Sequence, residues 1–125
     1  MKPMKKILLV EDTPDVLENF SELLLMEGYE IATAANGENA LDKLLQYKPD
    51  LIITDLRMPK MDGFAFIEKL KTMDELKTIP VLVFSANAIP ENEIRCLQLG
   101  AIGFLKKPCN TELLLSTVQA AFKTN

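Results

Sequence analysis

The sequence predicts a doubly wound α/β fold with a five-stranded parallel sheet. Three observations predict it. Short apolar runs alternate with longer segments of helical periodicity, five of each. The run Leu51 to Thr54 is almost fully apolar, as a central strand covered on both faces must be. The runs also end in polar groups: Ile7-Leu8-Leu9-Val10 in Glu11-Asp12, Leu51 to Thr54 in Asp55, Val81 to Phe84 in Ser85, and Phe104-Leu105 in Lys106-Lys107-Pro108. In a parallel sheet these carboxyl ends share one edge, where α/β folds place their sites.

The elements follow in order. Lys6 to Val10 reads as a strand. Pro14 to about Glu27 reads as a helix, because Val16, Phe20, Leu23 and Leu24 recur at helical spacing. Pro14 suits its first turn and Gly28 its end. Glu30 to Ala34 is the second strand, with Asn36-Gly37 as a turn. Glu38 to Gln46 is a helix with Ala40, Leu41, Leu44 and Leu45 on one side, and Pro49 stops it. Leu51 to Thr54 is the third strand.

Pro59-Lys60-Met61-Asp62-Gly63 is a turn leading into a helix over Phe64 to Thr72, with Asp62 as its cap. Val81 to Phe84 is the fourth strand. Glu91 to Leu99 is a helix closed by Gly100. Ile102 to Leu105 is the fifth strand, and Thr111 to about Lys123 the last helix, with Leu114, Val118, Ala121 and Phe122 facing inward. Met58, Met61 and Met73 read as packing. The parallel connections are expected to be right-handed. No repeat, low-complexity segment or linker interrupts the pattern, so residues 1–125 are expected to form one domain with its core over about residues 5–123.

At 125 residues the chain can bury a sizeable core, roughly two thirds of its unfolded surface. Neither a disulfide nor a structural metal is needed. The formal net charge of -4 and pI near 4.9 argue against direct contact with nucleic acid or an anionic membrane, which need a basic face. The apolar runs are far short of the ~20 residues that span a bilayer. The basic start, Met1 to Lys6, precedes only a short apolar run that ends in Glu11-Asp12, so it is not read as a signal peptide. Cys96 and Cys109 lack metal-ligand spacing and read as inert reduced thiols, with a cytoplasmic location as the expectation. The chain has no histidine, which removes Ser-His-Asp and Cys-His nucleophile systems and His-ligated zinc.

The polar strand ends carry the chemistry. Glu11-Asp12 alone could be the acidic start of a helix capped by Thr13. Joined by Asp55, these carboxylates would repel one another, and a hard cation such as Mg²⁺ relieves that. Asp55 alone could simply start a turn. In this company it can act as a carboxylate nucleophile and form an aspartyl phosphate. The Ser85 hydroxyl could donate to a phosphoryl oxygen. Lys107, held by Pro108 through a fixed direction such as a cis bond, could neutralise another.

This combined order resembles the receiver domains of two-component response regulators. The resemblance lies in the acidic pair at 11–12, Asp55-Leu56-Arg57-Met58-Pro59-Lys60-Met61-Asp62-Gly63, Ser85-Ala86 and Lys107-Pro108. It runs from about Lys5 to the end of the chain. It implies a flavodoxin-like (βα)5 sheet in the order 2-1-3-4-5. It implies Asp55 as phosphoacceptor, with Ser85 and Lys107 contacting the phosphoryl group. It implies Mg²⁺, with Mn²⁺ as an alternative, held by Asp12 and Asp55, by Glu11 through water, and by the Arg57 backbone carbonyl. Phe104 falls at an aromatic switch position that follows the Ser85 hydroxyl and repacks the fourth-helix, fifth-strand and fifth-helix surface. The implied partners are a histidine kinase or phosphotransfer protein and a downstream protein target. The implied oligomeric state is a monomer or a phosphorylation-promoted dimer.

Phe104 lacks a phenol, so its ring is expected to be biased inward before phosphorylation. By the same resemblance, Arg57 and Asn87, two residues past Asp55 and Ser85, stand at positions whose side chains tune the lifetime of the phosphoryl group. Other classes fit less well. A flavodoxin-like electron carrier needs a phosphate cradle after the first strand, where Glu11 and Asp12 would repel phosphate. A phosphatase acting on external substrates through an aspartyl phosphate would want a second acid where Arg57 stands. A module that only binds partners would not need the complete acidic set. Lys107→Ala is expected to cost little stability, on the reading that Lys107 is partly exposed.

Overall fold

The computed structural model describes residues 4–107 and 110–123. Its elements are β1 Lys6–Val10, α1 Pro14–Met26, β2 Glu30–Ala34, α2 Gly37–Leu44 and β3 Leu51–Thr54. They continue with α3 Gly63–Lys71, β4 Val81–Ser85, α4 Pro90–Gln98, β5 Gly103–Lys106 and α5 Thr111–Lys123. All pairings are parallel, and the sheet order is β2-β1-β3-β4-β5. Elements and order match the sequence expectation; the differences lie at the ends.

The strands alternate their side chains between two cores, as a pleat requires. Leu8, Val10, Ile52 and Val83 join Phe66 and Ile67 of α3 on one face. Ile7, Leu9, Ile53 and Leu82 join Phe20 of α1 and Val118 of α5 on the other. This explains the unbroken apolar runs: β1 and β3 are covered on both sides. Met58, Met61 and Met73 pack against the first core, as expected.

Local chemistry sets the helix ends. Asp62 caps α3, its Oδ1 accepting from Ala65 N at 2.9 Å. Asn36-Gly37 is not a free turn. Asn36 is the N-cap of α2, accepting from Asn39 N at 2.8 Å, while Asn39 Oδ1 accepts from Ala35 N at 3.2 Å. α2 also ends earlier than its pattern suggests, and Leu45 is 72% exposed. Thr13 precedes α1 but makes no side-chain cap. Gly28 and Gly100 follow α1 and α4 with φ of +94° and +107°, the left-handed closure that glycine allows. α4 is the most lightly seated helix: Cys96 is its buried residue, while Ile94 and Leu97 are about half exposed. Among the described residues no helix is long and apolar enough to cross a membrane.

Candidate functional site

The strand register carries three site residues to the carboxyl edge. Glu11 N donates to Ala34 O at 3.0 Å, Asp55 N to Val10 O at 3.1 Å, and Lys107 N to Ser85 O at 2.9 Å. Each ladder thus runs one residue past its strand. That extra rung fixes where Glu11, Asp55 and Lys107 emerge.

There the side chains converge. Lys107 Nζ donates to Asp55 Oδ2 at 2.9 Å and also to Glu11 Oε1. The second Glu11 oxygen accepts from Thr13 N at 3.0 Å, and Asp55 Oδ1 accepts from Leu56 N at 2.6 Å. Glu11 is 4% exposed, Asp55 9%, and the Lys107 side chain 16%. Lys107 is therefore more buried than its place in a loop suggests. Its ammonium also lies 5.3 Å from the Phe84 ring centre, a further favourable contact.

Burial and pairing pull the ionisation of these groups in opposite directions. Burial raises the Glu11 pKa above its ordinary value of 4.5, against the lowering from Lys107 and the Thr13 N–H. Burial acts against the Lys107 ammonium, but its hydrogen bonds to Glu11 and Asp55 outweigh this, so its pKa stands above 10.5.

Asp12 is exposed, yet it belongs to the same cluster. One oxygen each from Glu11, Asp12 and Asp55 can lie within 4.8 Å of one another. The donor set fits a hard divalent cation: all ligands are carboxylate oxygens, with no thiol or imidazole. Beside this cluster, Asp12, Arg57 and Asn87 help line a cleft of about 640 Å³. A buried Glu11 at the end of β1 is the reverse of a phosphate cradle, so the site does not suit a flavin phosphate.

Ser85 closes β4 at 1% exposure, opposite Lys106, and its Oγ accepts from Asn87 N at 3.2 Å. Phe104 pairs with Val83 and packs, half-buried, against the first core. Arg57 is exposed at the cleft rim. Pro108 and Cys109 lie outside the described residues, and with them the expectation of a cis bond. Cys96 is fully buried, and that burial pushes its thiol up to about 11, in keeping with an inert thiol.

Three features of the site go beyond the sequence expectation. The first is the direct Lys107–Glu11 contact. The others are Thr54, which reads as plain strand, and Gly63, which reads as punctuation. Thr54 Oγ1 donates to the Asp55 carbonyl at 2.9 Å, and Gly63 N donates to Leu56 O at 2.8 Å. A hydroxyl in an otherwise apolar central strand is the available signal for Thr54.

Known proteins resemble this chain in sequence and in fold. A family model described as "Response regulator receiver domain" matches residues 7–119. The polar-differentiation response regulator DivK of Brucella anthropi is 33% identical over 93% of this chain and 94% of its own. The transcriptional regulatory protein PrrA of Mycobacterium tuberculosis is 34% identical over 94% of this chain but 50% of its own. The chain thus spans about half the length of several curated relatives it matches.

Among solved structures, the chemotaxis response regulator CheY4 of Vibrio cholerae superposes with a TM-score of 0.89. It is 37% identical over 95% of this chain and 99% of that one. The receiver domain of sensor histidine kinase PA1611 from Pseudomonas aeruginosa PAO1 superposes at 0.86. It is 28% identical over 94% of this chain and 97% of that one, and holds a magnesium ion in its active site cleft. With the family model spanning both core faces and the carboxyl edge, the conclusion is direct: this chain belongs to the receiver domains of two-component response regulators.

Proposed function

We propose that this chain is a phosphoaccepting switch in a two-component phosphorelay, with Asp55 as the acceptor. The observation that carries the proposal is the Asp55 carboxylate itself. It is nearly buried, hydrogen-bonded to Lys107, and clustered with Glu11 and Asp12.

The donor is a phosphohistidine of a histidine kinase or phosphotransfer protein, or a small acyl phosphate or phosphoramidate. This chain has no histidine of its own to supply the group. An Asp55 carboxylate oxygen bonds to phosphorus as the phosphorus–nitrogen or phosphorus–oxygen bond to the donor breaks. The leaving group keeps that electron pair. Because such transition states are loose, the protein's task is positioning and charge screening.

Lys107 supports this role by holding one positive charge at Asp55 Oδ2, where phosphoryl oxygens would gather. The Ser85 hydroxyl would donate to another of these oxygens. Asp12, Asp55, the Arg57 carbonyl and, through water, Glu11 would hold Mg²⁺, or Mn²⁺ in its place. A bound ion there would screen the repulsion between acid and phosphate. Arg57 and Asn87 flank the cleft, where they would tune the lifetime of the acyl phosphate.

The output would pass through Ser85 and Phe104. Movement of the hydroxyl toward the phosphoryl group, beside a Phe104 ring already packed against the first core, would repack α4, β5 and α5. The light seating of α4 suits such a response. A downstream protein would read that surface, with the receiver acting as a monomer or as a phosphorylation-promoted dimer. We place it in the cytoplasm as one receiver unit over about residues 5–123.

The test is labelling with phosphoramidate or acetyl phosphate and Mg²⁺. Intact mass should rise by one phosphoryl group, about 80 Da. Asp55→Asn should take none. Equal labelling of that variant would remove Asp55 from the role.

A further inference from the structure

The peptide that follows Asp55 is held on every side. Its carbonyl, Asp55 O, accepts from Thr54 Oγ1 at 2.9 Å. Its N–H, on Leu56, donates to Asp55 Oδ1 at 2.6 Å, a short charge-assisted bond that sets the carboxylate plane. The next carbonyl, Leu56 O, accepts from Gly63 N at 2.8 Å.

Gly63 opens α3, and it is there for space. A Cβ on Gly63 would stand 2.3 Å from Asp55 O and 2.8 Å from Leu56 Cα. Both are backbone atoms, so no side chain can swing aside to make room. The missing methyl lets the first turn of α3 seat directly on the peptide after the acceptor. Thr54 holds the same peptide from the strand side. It is fully buried and registered between Val10 and Val83, apolar neighbours that give a hydroxyl no other purpose.

We propose that Gly63 and Thr54 are positioning residues for phosphoryl transfer. Together they clamp the Asp55–Leu56 peptide so that Leu56 N–H occupies Oδ1 and Oδ2 stays aimed at Lys107. The inference rests on Asp55 being the acceptor, and it adds two residues that touch neither donor nor ion. If the peptide shifts, the carboxylate plane turns and Oδ2 leaves Lys107. A misplacement of about 1 Å can cost roughly 100-fold in rate.

The experiment uses the full chain with phosphoramidate and Mg²⁺. It measures the maximal labelling rate, the donor concentration at half rate, and the Leu56 amide proton shift. The parent chain is run first. Failure of Asp55 to label there removes the acceptor reading, and this inference with it. With the parent active, Gly63→Ala should lower the maximal rate by about 10- to 100-fold. Half-saturation should change little, and the Leu56 amide should move upfield as its bond to Oδ1 weakens.

Asp62→Ala is the control. It loosens the same helix end by removing the cap, without placing a methyl on the peptide, and should lower melting temperature while keeping the rate. Should Gly63→Ala not fold, Thr54→Val, of nearly equal shape, carries the test with the same three readouts. A parental rate in the folded variant, or a slow rate with an unmoved Leu56 amide, overturns the proposal.

Discussion

Lys107 and Asp55, 52 residues apart in sequence, are joined by a 2.9 Å hydrogen bond at the carboxyl edge of the sheet. The same ammonium donates to Glu11, so one cation serves two nearly buried acids. Lys107 is thus a structural counter-ion to both acids.

Removing it should therefore cost more than the loss of a surface lysine. Lys107→Ala leaves two carboxylates facing each other at low exposure. We expect a stability loss of about 1–3 kcal/mol at neutral pH without divalent ions. Mg²⁺ should recover part of it by supplying charge to the same acids. Urea denaturation with and without Mg²⁺ checks both statements; an unchanged midpoint in the metal-free variant would refute the counter-ion role.

Mg²⁺ should also stabilise the parent chain. Binding to the folded state alone raises stability by mass action, about 2.7 kcal/mol at a hundred times the dissociation constant. Asp12→Ala removes the exposed member of the acidic cluster and should flatten that dependence. Melting temperature across a Mg²⁺ titration reads the difference between the two chains.

Cys96 gives a signature at alkaline pH. Its pKa is raised by burial from an ordinary 9.0 to about 11, so folding favours the protonated thiol. The associated stability is fully present below about pH 9 and is lost as pH rises through 11. Relative to Cys96→Ala, the parent chain should lose about 2–3 kcal/mol across that window. Denaturation of both proteins at several pH values isolates this share, because other titrations are common to both.

Phe104 should stay packed inward in both states. Its ring already lies against the first core, and no phenol holds it in water. We expect small chemical-shift changes at the ring when beryllofluoride, a phosphoryl mimic, is added, with larger ones at Ser85 and α4. Ring contacts from solution spectroscopy that place it mostly outward in the unmodified chain would contradict this.

Much of this molecule is legible in its amino-acid sequence. Fully apolar strands in a parallel sheet leave unbroken runs, and helices on its faces leave wider spacing. Asp55 and Ser85 stand out because each directly follows such a run. Asn36 is hard to read for a local reason: Asn-Gly is a turn dipeptide, and its capping partner Asn39 reveals itself only once α2 forms. The burial of Lys107 is hidden because its two partners sit 52 and 96 residues away. The role of Gly63 is hidden because a missing methyl leaves no pattern, only a space that the Asp55 carbonyl fills.

The extra rungs that carry Glu11, Asp55 and Lys107 past their strands have one more consequence. Each hangs from a different strand pair, so no fragment of the sheet assembles the site alone. Competence for labelling should then be lost in step with the whole fold. A brief pulse of phosphoramidate during a denaturant titration would count intact molecules. An acyl phosphate formed in that pulse would be a chemical record of how much of the population was native at the moment of the pulse.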